Sequence, residues 1–259
     1  LLNFIFLKNL GSCKVYINER NVSREVYYRN TTPQGILLHT YDVTRYLRPD
    51  SNTIAVWYAP CPQATAYSQN AASKQLTLDY YGTSHNGSAF YQQADESWSC
   101  SLSEGNRITQ DSIGNTIEVF DNRQYDNNWK ASDFFFQESE KPVHRLLKET
   151  KGIYTTLPTY PAYTNRLRHV LSPIAEYEDS LGLHYDFGRF FQGSVRITLR
   201  EARKGERLEI NGLVYICSGE MDEQAFRRLS TSQQKSITIK GDRHFRKSQI
   251  QKIEGLEIY

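Results

Sequence analysis

The densest run of oxygen-bearing side chains in this 259-residue chain is Glu118 to Trp129 (EVFDNRQYDNNW). Its Asp/Asn spacing is of the kind that holds a hard, oxygen-seeking cation, and Asp121 and Asp126 are the calcium candidates. The run lacks the D-x-D-x-D-G order of a dedicated calcium loop. A polar loop after a strand, with Asn and Asp bonding their own backbone, explains it more simply. Two of the carboxylates Glu118, Asp121 and Asp126 would also make a glycosidase pair if they stood about 5 to 9.5 Å apart across a sugar. Spacing in sequence does not determine that separation. The six histidines (His39, His85, His144, His169, His184, His244) form no H-E-x-x-H pair, so nothing points to four-coordinate zinc. No G-x-S-x-G, P-loop or G-x-G-x-x-G occurs. A Ser/His/Asp triad assembled from distant residues has no specificity without geometry. Cys13, Cys61, Cys100 and Cys217 lie far apart with no C-x-x-C; they read as buried thiols rather than a disulfide framework.

Residues of this kind would have to be positioned by strands. Cys13, Val15 and Ile17 alternate with polar or amphipathic neighbours, a period of two. Asn18 to Asn21 then supplies a hairpin loop before Val22. Ile36 to Val43 and Thr53 to Tyr58 read as strands on either side of the turn cluster Pro49 to Asn52. Leu76, Leu78 and Tyr80 alternate, and Asn86-Gly87 marks a tight turn from which Ala89 to Gln92 pairs back. Ile113 to Phe120 is a further strand. Val195, Ile197 and Leu199 alternate in the second half, as do Ile237 and Ile239, with Lys204-Gly205-Glu206 as a turn. Glu138 to Gly152, with Pro142 near its start, fits a short helix. Asp222 to Leu229 fits one or two helical turns. The ends, Leu1 to Leu7 and Leu256 to Tyr259, read as strands, so the chain is expected to be a piece of something larger. No run is long enough to read as a membrane span, and no signal peptide is legible.

The fold expected is all-β. It comprises two β-sandwich domains of jelly-roll type, 1–150 and 151–259, joined by a short linker with one short helix. Eighteen Tyr, 12 Phe and 3 Trp suit pleated, half-buried surfaces. Residues 1–150 carry 14 Lys/Arg against 16 Asp/Glu, and 151–259 carry 17 against 13. Neither balance makes the strong basic field of a nucleic-acid binder. The basic run Lys240 to Lys247 reads as a solvated turn. The sequons at Asn21, Asn30 and Asn86 matter only in a glycosylating host.

Leu10 to Val22 (LGSCKVYINERNV) and Thr40 to Asn52 (TYDVTRYLRPDSN) resemble the N-terminal β-domain of bacterial α-L-rhamnosidases, with its "LG-x-Y-E-L-Y-I-N-G" hairpin and its "TYDVT-x-x-L-R-x-G-x-N" step. Asn18 matches; Glu19 stands where the family has Gly. His184 to Val195 (HYDFGRFFQGSV) resembles the family's "YDFGQN-x-x-G-W-V", matching at Asp186, Phe187, Gly188, Gly193 and Val195 and departing at Arg189 and Ser194. Ile237 to Asp242 and Gly255 to Tyr259 resemble later steps of the same region. Tyr125, Asp126 and Trp129 echo the family's "G-E-x-Y-D-A-R" segment and its later Trp, which makes them the carbohydrate candidates. The resemblance implies a galactose-binding-like jelly roll followed by a concanavalin-like sandwich.

The resemblance also implies accessory domains, with the catalytic carboxylates in a helical barrel that follows this region. The partners it implies are that downstream barrel and a rhamnose-containing glycan; neither nucleic acid nor membrane is expected. It implies an extracytoplasmic setting. The chain lacks the family's Gly-Asp pair and its "P-G-W-T-D-Y" step between Val22 and Gln34. It reads Ala59-Pro60-Cys61-Pro62 where the family has Gly-Trp-Tyr. The leading expectation is a non-catalytic scaffold region of a rhamnosidase-like hydrolase. The alternatives are a stand-alone carbohydrate-binding module and an adhesive or structural module. A hydrolase in its own right is the least supported, since nothing shows two positioned carboxylates.

Overall fold

The computed structural model describes residues 2–9, 11–23, 36–60, 76–95, 97–99, 105–134, 159–161 and 166–259. Among the described residues the chain is all-β, with strands and short 3-10 turns. No described helix is long and apolar enough to cross a membrane, which says nothing of a β-barrel. The helix expected over Glu138 to Gly152 lies outside the described residues. Contacts divide the chain into two compact units: Leu1–Arg24, Thr31–Leu102 and Asp126–Thr164 form the first, and Glu25–Asn30, Ser103–Tyr125 and Asn165–Tyr259 the second.

The first unit has β1 (Asn3–Asn9), β2 (Gly11–Ile17), β3 (Arg20–Asn21), β4 (Ile36–Asp42), β5 (Ile54–Pro60), β6 (Leu76–Thr83) and β7 (Ala89–Gln93). Its larger sheet places β1 between β4 and β6, with β7 beyond β6. Register sets Leu7 opposite His39 and Leu78, and Ile5 opposite Tyr41 and Tyr80. Every second residue of β1 therefore meets the core, as the pleat requires. The smaller sheet runs β3-β2-β5. Cys13, Val15 and Ile17 are fully buried there. Asn18 and Glu19 take positive φ (49° and 71°) in the two-residue turn to β3, which matches the twist of a tight hairpin. The departure from the family's Gly at Glu19 is thus held in a left-handed conformation.

Downstream lie β8 (Asn106–Gln110), β9 (Thr116–Asp121), β10 (Thr159–Pro161), β11 (Leu167–Leu171), β12 (Ala175–Asp179), β13 (Gly182–Arg200), β14 (Arg207–Ile210), β15 (Leu213–Ile216), β16 (Asp222–Ala225), β17 (Ser232–Gly241) and β18 (Ile250–Ile258). Thr159–Pro161 is extended and pairs parallel with β4 of the first unit. The described strands of the second unit form one sheet, β11-β18-β13-β17-β14-β15-β9-β8, with β12 and β16 also on β13. The contacts therefore do not divide at residue 150. β9 runs parallel to β15, Glu118 opposite Leu213 and Phe120 opposite Tyr215, and this pairing carries 105–125 into the second unit. The strand expected from Ile113 starts instead at Thr116. Asp111 accepts from the backbone of Ile113 and Asn115, which closes a hairpin turn and leaves Ile113 81% exposed.

Asp222 to Leu229 is not helical. Asp222–Ala225 pairs with β13. Glu223 and Ala225 are buried while Asp222 and Gln224 are exposed, a strand's period of two rather than a helix's. At the centre, β13 shifts register between Asp186 and Phe191. The core beside it holds Ile197, Leu199, Leu208, Leu213, Tyr215, Ile237 and Ile239, all essentially buried.

Candidate functional site

The Glu118 to Trp129 segment is divided between the two units. Glu118 is 1% exposed. Its carboxylate accepts from the backbone N–H groups of Arg228 (2.5 Å), Leu229 (3.2 Å) and Ser230 (3.0 Å) and from the Ser230 hydroxyl (2.7 Å). It is a clasp for the loop after β16, not a group offered to a substrate. Asp121, also buried, takes a two-pronged contact from Arg123, Nε to Oδ1 at 2.9 Å and Nη2 to Oδ2 at 2.7 Å. Gln124 Nε2 donates to Oδ2 as well. The Arg123 guanidinium holds the Asp121 carboxyl below the usual carboxylate range. The same carboxylate accepts from the Arg123 backbone and starts a 3-10 turn over Asn122–Gln124.

Asp126, in the first unit, caps a second 3-10 turn by accepting from Asn128 N at 2.8 Å. Among the described residues no group of three or more His, Cys, Asp or Glu side chains is placed to hold a metal ion. Trp129 meets Tyr16 edge-on at 5.4 Å, and Lys130 Nζ lies 5.1 Å from the Tyr16 ring. Tyr125, in the second unit, lies 5.4 Å from Phe120. The carbohydrate candidates Tyr125, Asp126 and Trp129 are thus shared between units, each engaged by its own neighbours.

Two arrangements in the second unit were not legible in the sequence. Glu223, 2% exposed, accepts from Asn122 Nδ2, the Tyr215 hydroxyl and the backbone N–H groups of Ser218 and Gly219. Burial and the adjoining Glu223 push the Tyr215 phenol far up. Asp179, His184 and Thr238 form a triad-like chain: His184 Nε2 is 2.7 Å from Asp179 Oδ1, and Nδ1 is 3.0 Å from the Thr238 hydroxyl. Tyr177 stacks on the imidazole at 4.5 Å, and Asp179 also accepts from Leu181 N. The group clamps the β12–β13 hairpin. A cavity of about 10 Å³ lies between Ser194, Asn211, Arg227 and Gln234. That is room for one water at most, far short of the ~300 Å³ a small-molecule site takes.

The residues that carried the family resemblance do structural work that requires their types. Asn18 Oδ1 accepts from Thr53 N, and its amide donates to Tyr46 O and Asn52 Oδ1. Asn52 Oδ1 also accepts from Arg48 N. Asp42 accepts from Thr44 N, and Thr44 Oγ1 from Asn3 N. In the second unit Asp186 accepts from Gly188 N at 2.6 Å, and Gly188 has φ 75°. A Cβ on Gly193 would stand 1.9 Å from Leu256 O, and one on Gly255 would meet the Phe191 ring at 2.9 Å. Phe187 and Phe191 are buried edge-to-face at 5.3 Å. The D-F-G-x-x-x-x-G pattern is therefore the bulge of β13 and its close approach to β18.

Over residues 3–157 the chain matches the model of the α-L-rhamnosidase N-terminal domain. The chain belongs to that family. No protein of curated function matches it. Among solved structures it is similar to an α-L-rhamnosidase from Dictyoglumus thermophilum (TM-score 0.77, 21% identity). It is likewise similar to a Streptomyces avermitilis α-L-rhamnosidase complexed with L-rhamnose (0.74, 16%) and to one from Aspergillus terreus (0.72, 16%). All of this chain is covered in each case, against 31%, 27% and 32% of those chains. The α-L-rhamnosidase N-terminal domain and the sheet that follows it thus span under a third of those relatives. At such identity the likeness shows the fold. The departure from the family pattern at Arg189 has its own role: the guanidinium contacts both Glu257 oxygens, at 2.8 and 2.7 Å, and His169 Nδ1 lies 2.7 Å from the same carboxylate.

Proposed function

We propose that this chain is the non-catalytic accessory and scaffold region of an α-L-rhamnosidase-like glycoside hydrolase, acting outside the cytoplasm on rhamnose-containing glycans. In this reading its second unit supports a helical-barrel catalytic domain of the same polypeptide. The observation that carries the reading is a set of large apolar side chains left in solvent on β11, on β12 and the turns around it, and at the bulge of β13. Val170 is 51% exposed, Ile174 75%, Tyr177 60%, Leu181 58% and Phe190 64%. Single exposed apolar residues are ordinary, but several on strands of one sheet point to a covered surface. The buried carboxylates support the same reading, since Glu118, Asp121 and Glu223 are consumed by their own fold.

The test compares the 259-residue chain with the full polypeptide of its gene. The isolated chain is expected to release no nitrophenol from an aryl α-L-rhamnoside, and the full polypeptide is expected to release it. Leu181→Asn with Phe190→Asp should lower the thermal midpoint of the full polypeptide and leave that of the isolated chain unchanged. Hydrolysis by the isolated chain, or an unchanged midpoint in the full polypeptide, would overturn the reading.

A further inference from the structure

We propose that Arg228, with the aromatic rings around it, is a binding site for a carboxylate-bearing sugar. Arg228 sits in the loop after β16, with its backbone N–H fixed by buried Glu118. Its guanidinium carbon lies 4.2 Å from the Phe226 ring, 4.5 Å from Phe120 and 5.4 Å from Tyr125. Rings at these distances hold a cation by their negative faces and restrict its orientation. Nε is buried without an acceptor. Nη1 and Nη2 likewise have no protein acceptor but are not among the buried unpaired atoms, so they reach solvent.

Other arginines of the second unit are engaged differently. Arg123, Arg189, Arg196 and Arg200 each hold a carboxylate within 2.9 Å. Arg228 forms no such pair. The buried carboxylates Glu118 and Glu223 take hydrogen bonds from neutral donors, four of them each. What remains at Arg228 is a planar cation held among rings, with its outer N–H fork free.

That fork matches two coplanar oxygens, and a carboxylate supplies them. A single guanidinium balances a single negative charge; the buried Arg227 beside it in sequence is spent on Asn211 O. Phosphate would bring a second charge that this one guanidinium does not balance. Phe226 and Tyr125, both half-buried, present apolar surface at the same place, which suits the C–H face of a sugar ring. The ligand class is therefore a uronate. The inference goes beyond the scaffold reading and does not depend on it.

The test is isothermal titration of the 259-residue chain with D-glucuronate, its methyl ester, acetate and inorganic phosphate at neutral pH and low salt. Glucuronate is expected to bind with a dissociation constant on the order of 1 mM. The ester, acetate and phosphate are each expected to bind at least about tenfold more weakly, as is glucuronate to Arg228→Lys, which keeps the charge and loses the fork. Arg228→Met should show no binding while keeping the wild-type circular dichroism. Should Arg228→Met misfold, Arg228→Lys carries the comparison. Equal binding of the ester removes the carboxylate from the proposal. Equal binding of acetate or phosphate removes the sugar or the charge match. Undiminished binding by Arg228→Lys removes the fork. Any of these overturns it.

Discussion

Glu118 separates a catalytic from a structural reading of the acidic segment more sharply than any other residue. Glu118→Ala removes the acceptor of three backbone N–H groups and one hydroxyl, all in a loop 110 or more residues away in sequence. Leu229 and Ser230 are themselves buried, so water does not replace the carboxylate freely. Each buried donor left unpaired costs about 1–3 kcal/mol. Even with part of the loop relaxing towards solvent, the sum is about 4 kcal/mol. That is a large share of the ~5–15 kcal/mol that holds a domain together. Glu118→Gln keeps the shape but turns one oxygen into a donor facing other donors, at a cost of about 2 kcal/mol.

The assay is urea unfolding followed by far-ultraviolet circular dichroism, taking the transition of the second unit. With a slope of about 2 kcal/mol per molar, the Ala variant should unfold ~2 M earlier and the Gln variant ~1 M earlier. A catalytic carboxylate held under strain would behave in the opposite way, its removal leaving stability unchanged or raised. If both variants unfold within about 0.3 M of the parent, the clasp is not what holds the loop, and the structural assignment of Glu118 fails.

Three further outcomes are expected. Arg189 and His169 hold the Glu257 carboxyl down to about 2 in the folded chain, against an ordinary value of 4.5. The unfolded chain then binds the proton first, so stability is full above 4.5 and drains as pH falls towards 2. Urea midpoints across that range should fall in the parent and flatten in Arg189→Ala. Burial pushes His39 down to about 4 from 6.5. The unfolded state again takes the proton first, so the first unit should lose stability as pH drops below 6.5 and stop losing it near 4. His39→Gln should abolish that slope, read by the same titration. Gly193→Ala drives a Cβ to 1.9 Å from Leu256 O, a backbone atom that cannot swing away. A loss of about 3 kcal/mol or more is expected in urea unfolding, and a loss under 1 kcal/mol would contradict the close approach of β13 and β18.

The residues that sequence comparison singled out turn out to share a physical property. Asn18, Asp42, Thr44, Asn52, Asp186, Gly188, Gly193 and Gly255 all sit where backbone must turn, be capped or come close to other backbone. Such places tolerate few residue types, and for that reason they stay recognisable between chains of 21% identity or less. They mark the family without marking a binding site. Asp121 and Asp126 drew attention by the same route: their oxygens cap 3-10 turns.

The sequence by itself determined many of the strands, several of the turns and the family. A period of two at Cys13–Val15–Ile17 and at Val195–Ile197–Leu199 states which face of a strand is apolar. Asn86-Gly87 states where a chain can reverse. These are local properties. Which strand lies next to which is not local, and only the tertiary structure decided it. Thr116–Asp121 joins the second unit through a parallel pairing with β15, nearly a hundred residues downstream. Asp222–Ala225 is a strand because β13 offers it an edge. Glu118 is a clasp and Arg228 a caged cation for the same reason. Both depend on groups that are far apart in the chain and meet only when the sheet closes around them. A carboxylate or a guanidinium has the same sequence signal whether its partners are water, backbone or a ligand.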